Sequence, residues 1–302
     1  MSLSLLSFLP AVDRGWKSMR MECDLPACHH TQLMRSIPGV KQGVRVGAQW
    51  YCCVDCFASA ARETLSTLSM RRPLEIPRTP RLSLGLAMHR KGSLTNEQLR
   101  VAGFESQSRN EDFAQTVMRL GMATEQDIAA ARAAQWGCPV LSQDYVRQGV
   151  RADLPRAIFE ACAAAPLHYS RTANRLLLGF VYRVEHSVLA SIEQMTGCRV
   201  EPCFMTQTDY ELQMTALSGQ PGYDEIFVSD PGPADKMART VGRAAVDSGA
   251  REARFTRYKN LVWTRLAGKR GTVDVVFRVS QVLAELKAEE SEFFDEVVAV
   301  AG

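Results

Sequence analysis

The chain has little that commits it to catalysis. Only five of its 302 residues are His. There is no nucleophile elbow, no dinucleotide-binding glycine fingerprint and no helix-spaced pair of His with a Glu. A glycine-rich phosphate loop ending in Lys and Ser or Thr is also missing: "LAGKRGT" supplies Gly268 and Lys269 but lacks the glycine five residues earlier. Without that cradle of backbone amides and lysine, nucleotide hydrolysis by this route is not expected. His168 and His186 read as a strand end and a helix start rather than catalytic groups. Long apolar runs are absent as well. No segment approaches the roughly 20 apolar residues that cross a bilayer, so no membrane span is expected. The opening "MSLSLLSFLPAVDRGW" has no basic start and soon meets Asp13 and Arg14, unlike a signal peptide. Charge of one sign is lacking too: 36 Lys and Arg against 33 Asp and Glu leave a net +3, which demands neither nucleic acid nor membrane. The expectation is a cytoplasmic protein, in whose reducing surroundings clustered Cys signify metal rather than disulfides.

What is present in abundance is Cys at one place. Five of nine, at positions 23, 28, 52, 53 and 56, fall within "CDLPACHHTQLMRSIPGVKQGVRVGAQWYCCVDCF". Zinc takes four soft ligands in a tetrahedron, and two short Cys pairs joined by a hairpin bring four thiolates together. Cys23 and Cys28 form one pair. Cys56 with Cys52 forms the other, with Cys53 as the alternative to Cys52 and with His29 and His30 as substitutes. In "WYCCVDCF" the Tyr-Cys ends a strand and the last Cys opens a helix, an arrangement that resembles zinc ribbons. A catalytic zinc would need an open position and an adjacent acid, for which Asp55 alone is thin support. A structural Zn site is expected, holding together a segment too short to build its own core.

Beyond Cys56, "FASAARETLSTLSM" reads as a helix and "RRPLEIPRTPR" as a linker, because its three Pro deny regular hydrogen bonding. Next comes an internal repeat. An offset of 29 residues aligns Leu84 with Phe113, Met88 with Val117, Gly92 with Gly121, Thr95 with Thr124, Leu99 with Ile128 and Ala102 with Ala131. Each copy predicts two short helices. Gly92 and Gly121 suit the left-handed position after the first helix, and Thr95 and Thr124 cap the second, with Gln98 and Asp127 as reciprocal caps. Apolar spacing of this kind also serves plain helix packing.

The two copies, 83–106 and 112–135, resemble the tandem motif in the N-terminal domain of type II secretion and type IV pilus assembly ATPases. The tail "AAQWGCPVL" fits, since that family follows its second copy with Gln, Gly and Pro and then an extended stretch. The likeness continues through "LPRAIFEACAAAPLHYSRTANRLLLGFVYRVEHSVLASIEQMTGCRVEPCFMTQTDYELQM", read as helix, "PLHY" strand, turn at 172–174, "LLLGFV" strand, helix from about Glu185, "CRVEPCF" strand and final helix. It spans about 81–217, roughly half the chain. The motor domain of that family is not matched, since the phosphate loop is missing.

The resemblance implies a ligand. In ligand-binding members the tandem copies grip cyclic di-GMP, with apolar helix positions against the bases and polar ends toward phosphates and guanine edges. Leu84, Gly85, Met88, Gly92, Leu99, Val117, Gly121, Ile128 and Gln135 match the apolar and glycine frame together with the closing Gln. Ser83 and Asp112 stand where the family has Arg, and Ser106 where it has the first Gln. Asp112 would repel a phosphate. Cyclic di-GMP is therefore expected to bind weakly or not at all, leaving the repeats as a protein-docking scaffold.

The fold class expected is an α+β multidomain chain: a small zinc ribbon, a helical tandem repeat, then small α/β modules. The expected segments are a tail at 1–20, the ribbon and its helix at 21–72, the tandem repeat at 73–141, one α/β module at 142–220, a second at 221–282 and an acidic helix or tail at 283–302. The second module reads as a "DEIFV" strand, a helix over "PADKMARTVGRAAVDSG" and strands "EARFT", "LVWTRL" and "VDVVFRV". The function expected is that of a non-enzymatic adaptor or regulator, which the resemblance joins to a protein partner of a secretion or pilus system. The alternative is a zinc-ribbon regulator that binds nucleic acid. Against it, "TEQDIAAARAAQ" carries two acids and one Arg, and Arg71, Arg72, Arg78 and Arg81 cluster in a linker.

Overall fold

The computed structural model describes residues 20–33, 43–71, 82–141, 153–218 and 224–279. The expected N-terminal tail, nearly all of the Pro-rich linker and the acidic C-terminal segment lie outside the described residues. The chain divides into two compact units, one formed by 1–72 with 226–302 and the other by 73–225.

The first unit draws strands from the N-terminal and C-terminal parts of the described chain into one sheet. Hairpin β1 (Arg20–Glu22) and β2 (Thr31–Leu33) stands apart as a two-stranded ribbon. Strands β3 (Val44–Val46), β4 (Gln49–Tyr51), β8 (Asp224–Val228), β9 (Ala250–Tyr258), β10 (Leu261–Gly268) and β11 (Gly271–Arg278) form a six-stranded sheet in the order β4-β3-β9-β10-β11-β8. Where the sequence reading separates 21–72 from 221–282, β3 pairs in parallel with β9, Arg45 opposite Glu252 and Val46 opposite Ala253. The physical reason is that a three-residue hairpin has too little surface to stand alone, while an open strand edge offers unpaired N–H and C=O groups. Gly43 leads into β3 where a Cβ would fall 1.9 Å from the Tyr51 carbonyl oxygen, so no other residue fits there without backbone movement.

Two helices cover one face of this sheet. Helix α1 (Val54–Met70) contributes Phe57, Ala61 and Leu65, and a long helix of the C-terminal half, Ala234–Ser248, contributes Met237, Val241 and Ala245. They meet Val262, Leu266, Val275 and Phe277 from alternate strand positions. The α1 C-terminus is held from the sheet: Arg257 on β9 donates from Nη1 to the carbonyls of Leu68 (2.8 Å), Ser69 (3.0 Å) and Arg71. A cation there satisfies carbonyls that the helix leaves over and complements its dipole. Burial lowers the pKa of Arg257, but a guanidinium stays charged. On the other face of the sheet, Trp263 donates from Nε1 to Oδ1 of the fully buried Asp274 at 2.6 Å. Arg265, directly opposite Asp274 in the β10–β11 register, reaches Oδ2 at 3.2 Å. A slip of one residue would part this pair and leave a buried carboxylate uncompensated, so the pair specifies register.

The second unit begins with four helices in two matching pairs: α2 (Leu84–Arg90) with α3 (Asn96–Arg109), and α4 (Phe113–Arg119) with α5 (Glu125–Trp136). Their starts keep the offset of 29. Both expected capping boxes are present. Thr95 accepts from the Gln98 amide and Gln98 from the Thr95 amide, and Thr124 and Asp127 do the same. Gly92 and Gly121 have φ of 79° and 65°, the left-handed conformation the sequence requires there.

After α5 the chain bridges Val140 to Phe204 in a three-stranded sheet of β5 (Ala164–Ser170), β6 (Arg175–Phe180) and β7 (Arg199–Phe204), in that order. Helices α6 (Arg156–Cys162), α7 (His186–Thr196) and α8 (Gln207–Ser218) complete the module. The α7 crossover makes β6 and β7 parallel, whereas β5 and β6 form an antiparallel hairpin around 171–174. Arg132 of α5 fastens the repeat to this module by donating to the Val181 carbonyl at 2.7 Å, its guanidinium 5.2 Å from the centre of the Tyr182 ring. The long helix Ala234–Ser248 of the first unit is α9.

Candidate metal centre

The four sulfurs converge because two hairpins end at one point. Cys23 follows β1 and Cys28 precedes β2, in a tight loop where the Cys23 amide donates to His30 O (3.0 Å) and the Cys28 amide to Leu25 O (2.8 Å). Cys52 follows β4, and Cys56 lies in the first turn of α1. Asp24 clamps the two hairpins together: its amide donates to Trp50 O at 2.9 Å and its carboxylate accepts from the Trp50 amide at 2.6 Å.

The Sγ atoms of Cys23, Cys28, Cys52 and Cys56 lie within 4.8 Å of one another, a group that could hold a metal ion. Cys52 is 3.7 Å from both Cys28 and Cys56. A tetrahedral ion with metal–sulfur bonds of about 2.3 Å has sulfur–sulfur edges of about 3.8 Å, so these separations fit its geometry. Cys23 and Cys56 are buried, Cys28 and Cys52 half-buried. Four thiols fill a tetrahedron and leave no position for substrate or water, and Asp55 is exposed. When bound, a dication in this set supplies structural cross-linking and charge neutralisation. The chain's own residues provide the frame: hairpin turns, the Asp24 clamp and the α1 N-terminus, whose dipole favours negative charge.

The alternatives left open by the sequence fall outside the group. Cys53 is exposed and occupies the N-cap of α1 with extended backbone, φ −147° and ψ 172°, making no side-chain capping bond. His29 and His30 are exposed. His30 contributes through its backbone, whose hydrogen bond holds the Cys28 thiol below its ordinary pKa. Burial pushes the Cys52 thiol up to about 12 and raises Cys56 further. Since metal binding requires thiolates, loading this site releases protons and weakens as pH falls.

Of the residues matched to a cyclic di-GMP frame, Leu84 and Leu99 are half-buried and most of the others take structural places in the repeat. Met88 and Val117 are fully buried, and Ile128 nearly so, in the core between the four repeat helices, with Leu84 packed against it. Gly85 is where helices meet: a Cβ there would come within 2.5 Å of Leu99 Cδ1 and 2.9 Å of Phe113 Cζ. Gly92 and Gly121 serve the turns, and Gln135 donates to the Leu82 carbonyl. The departures from the family pattern are local structural devices. Ser83 caps α2, accepting from the Leu86 amide at 3.4 Å, and Asp112 caps α4, accepting from Ala114 at 2.8 Å and Gln115 at 3.4 Å. Ser106 donates to the Glu111 carbonyl at 2.7 Å. Sequence reasoning missed Phe104, 71 % exposed, and Val101, 43 % exposed, three residues apart on α3. Their i, i+3 spacing in "VAGF" was the available signal.

No family model and no curated protein matches the chain. Among solved structures, one of MshE with cdg is 18 % identical over 45 % of this chain and 98 % of that one, with a TM-score of 0.37. The N-terminal domain of XpsE in two crystal forms is 14 % and 17 % identical, each over 46 % of this chain and 98 % or 99 % of its own, with TM-scores of 0.34 and 0.27. Each of these matches covers less than half of this chain.

Proposed function

We propose that the chain is a non-enzymatic adaptor or regulatory protein, clasped by a structural Zn2+ at Cys23, Cys28, Cys52 and Cys56, and acting by protein docking through its helical repeat. One observation carries the docking reading. Met88, Val117 and Ile128, three of the apolar residues that would face the bases of a cyclic dinucleotide, are spent on the repeat core, while α3 turns Val101 and Phe104 to solvent. An aromatic so exposed beside a second apolar side chain is the kind of anchor that protein interfaces bury. Ser83 and Asp112, engaged as caps, offer no cation to a phosphate. The resemblance to the secretion and pilus ATPases makes a component of such a system the expected partner.

Calorimetry with cyclic di-GMP tests the reading directly: little or no heat of association is expected. A sub-micromolar dissociation constant, abolished by Gln135→Ala, would overturn it in favour of a sensor. In pull-downs from the native cell, Phe104→Asp is expected to lose the specific partner without lowering the melting temperature, since the side chain is outside the core.

A further inference from the structure

Helix α9 presents Lys236, Arg239 and Arg243 on its outward face at i, i+3 and i+7, and all three are exposed. The opposite face, with Met237, Val241 and Ala244, is buried. None of the three cations makes an ion pair among the described residues, and Asp235 is engaged elsewhere, by Arg62 at 2.8 Å. Like charges four apart on a helix repel, and Asp247, four residues beyond Arg243, offsets only part of this, so a further anion against Arg239 and Arg243 would strengthen α9.

The chain carries a matching anion. Residues 280–302 contain six acids and one lysine, and Glu285, Glu289, Glu292 and Glu296 recur at steps of four, three and four, the spacing of one helix face. The last described residue before the segment, Val279, also lies at the matching end of the sheet. Val279 donates to the Asn260 carbonyl at 2.8 Å, beside the β9–β10 turn. Only Gly249 separates α9 from β9, so α9 runs back over the sheet and its Lys236 end lies toward that same turn. From Val279 to Glu285 the chain can span about 20 Å. We propose that the acidic segment 283–302 docks within its own chain on the cationic stripe of α9, setting Glu285, Glu289, Glu292 and Glu296 against Lys236, Arg239 and Arg243.

The full chain tests this. A zero-length carbodiimide joins a lysine to a carboxylate only where they touch. Peptide mass spectrometry of the monomer is expected to find Lys236 coupled to one of the four glutamates. Hydrogen exchange of the 283–302 amides should be several-fold slower at low salt than in 1 M salt, where screening shrinks to about 3 Å. Arg239→Glu with Arg243→Glu should remove that protection, and adding Glu289→Arg with Glu292→Arg should restore it, which separates docking from misfolding. Coupling found only in dimers would overturn the proposal. So would segment exchange indifferent to the charge reversals, including the case in which those reversals instead abolish binding of a DNA duplex.

Discussion

Cys52 and Cys53 are adjacent in the chain, yet only Cys52 joins the four-sulfur group, while Cys53 sits exposed at the helix cap beside it. The difference sets the sign of two substitutions. Ser is a strong N-cap, worth about 1 kcal/mol over a residue that makes no capping bond. Cys53→Ser is therefore expected to keep about one zinc per chain and to leave the melting temperature unchanged or raised. With zinc held there as proposed, Cys23→Ser or Cys52→Ser removes a ligand, and at structural zinc sites the binding free energy, on the order of 10–16 kcal/mol, doubles as folding free energy. No surface effect offsets that loss, and metal analysis of the purified variants should show it. Zinc lost from Cys53→Ser and retained by Cys52→Ser would reverse the ligand assignment. The preference for Cys52 was legible because Tyr51-Cys52 ends a strand. The clamp was not legible, because Asp24 reaches Trp50 across 26 residues and only the folded chain shows it.

At the scale of the element, legibility follows the distance over which a helix finds its partners. Thr95, Gln98, Thr124 and Asp127 complete their caps within one turn, so the repeat could be read with its boundaries nearly in place. Thr124→Ala should cost about 1 kcal/mol in urea unfolding of the second unit. The end of α1 obeys different physics. Its carbonyls are closed by Arg257, whose partner Leu68 is 189 residues away in sequence. Nothing near "STLSMRR" announces that contact. Charged hydrogen bonds of this sort contribute about 1.5–3 kcal/mol, so Arg257→Ala is expected to destabilise the first unit more than Thr124→Ala does the second. Equal, negligible shifts would mean that α1 is held by Phe57 and Leu65 alone.

For the whole molecule, the unforeseen feature is that the ribbon, its helix and the C-terminal strands share a sheet. The alternation in β9, β10 and β11 was readable, but the parallel pairing of three-residue β3 with β9 left no trace in composition or spacing. It predicts a long-range response: chelating the metal should speed hydrogen exchange at Glu252 and Ala253 while leaving the helices of 84–136 unchanged. An unaltered β9 would make the ribbon a mere appendage. The same pairing has a consequence in time. Between Val46 and Glu252 lie roughly 200 residues, which a ribosome takes about 10–40 s to add at 5–20 residues per second. During that interval all four cysteines of the sulfur group have already been made, and the compact unit of residues 73–225 is completed. The edge of β3 stays bare until β9, in the last fifth of the chain, is made, so the newborn chain has to keep that edge from pairing elsewhere for the whole interval.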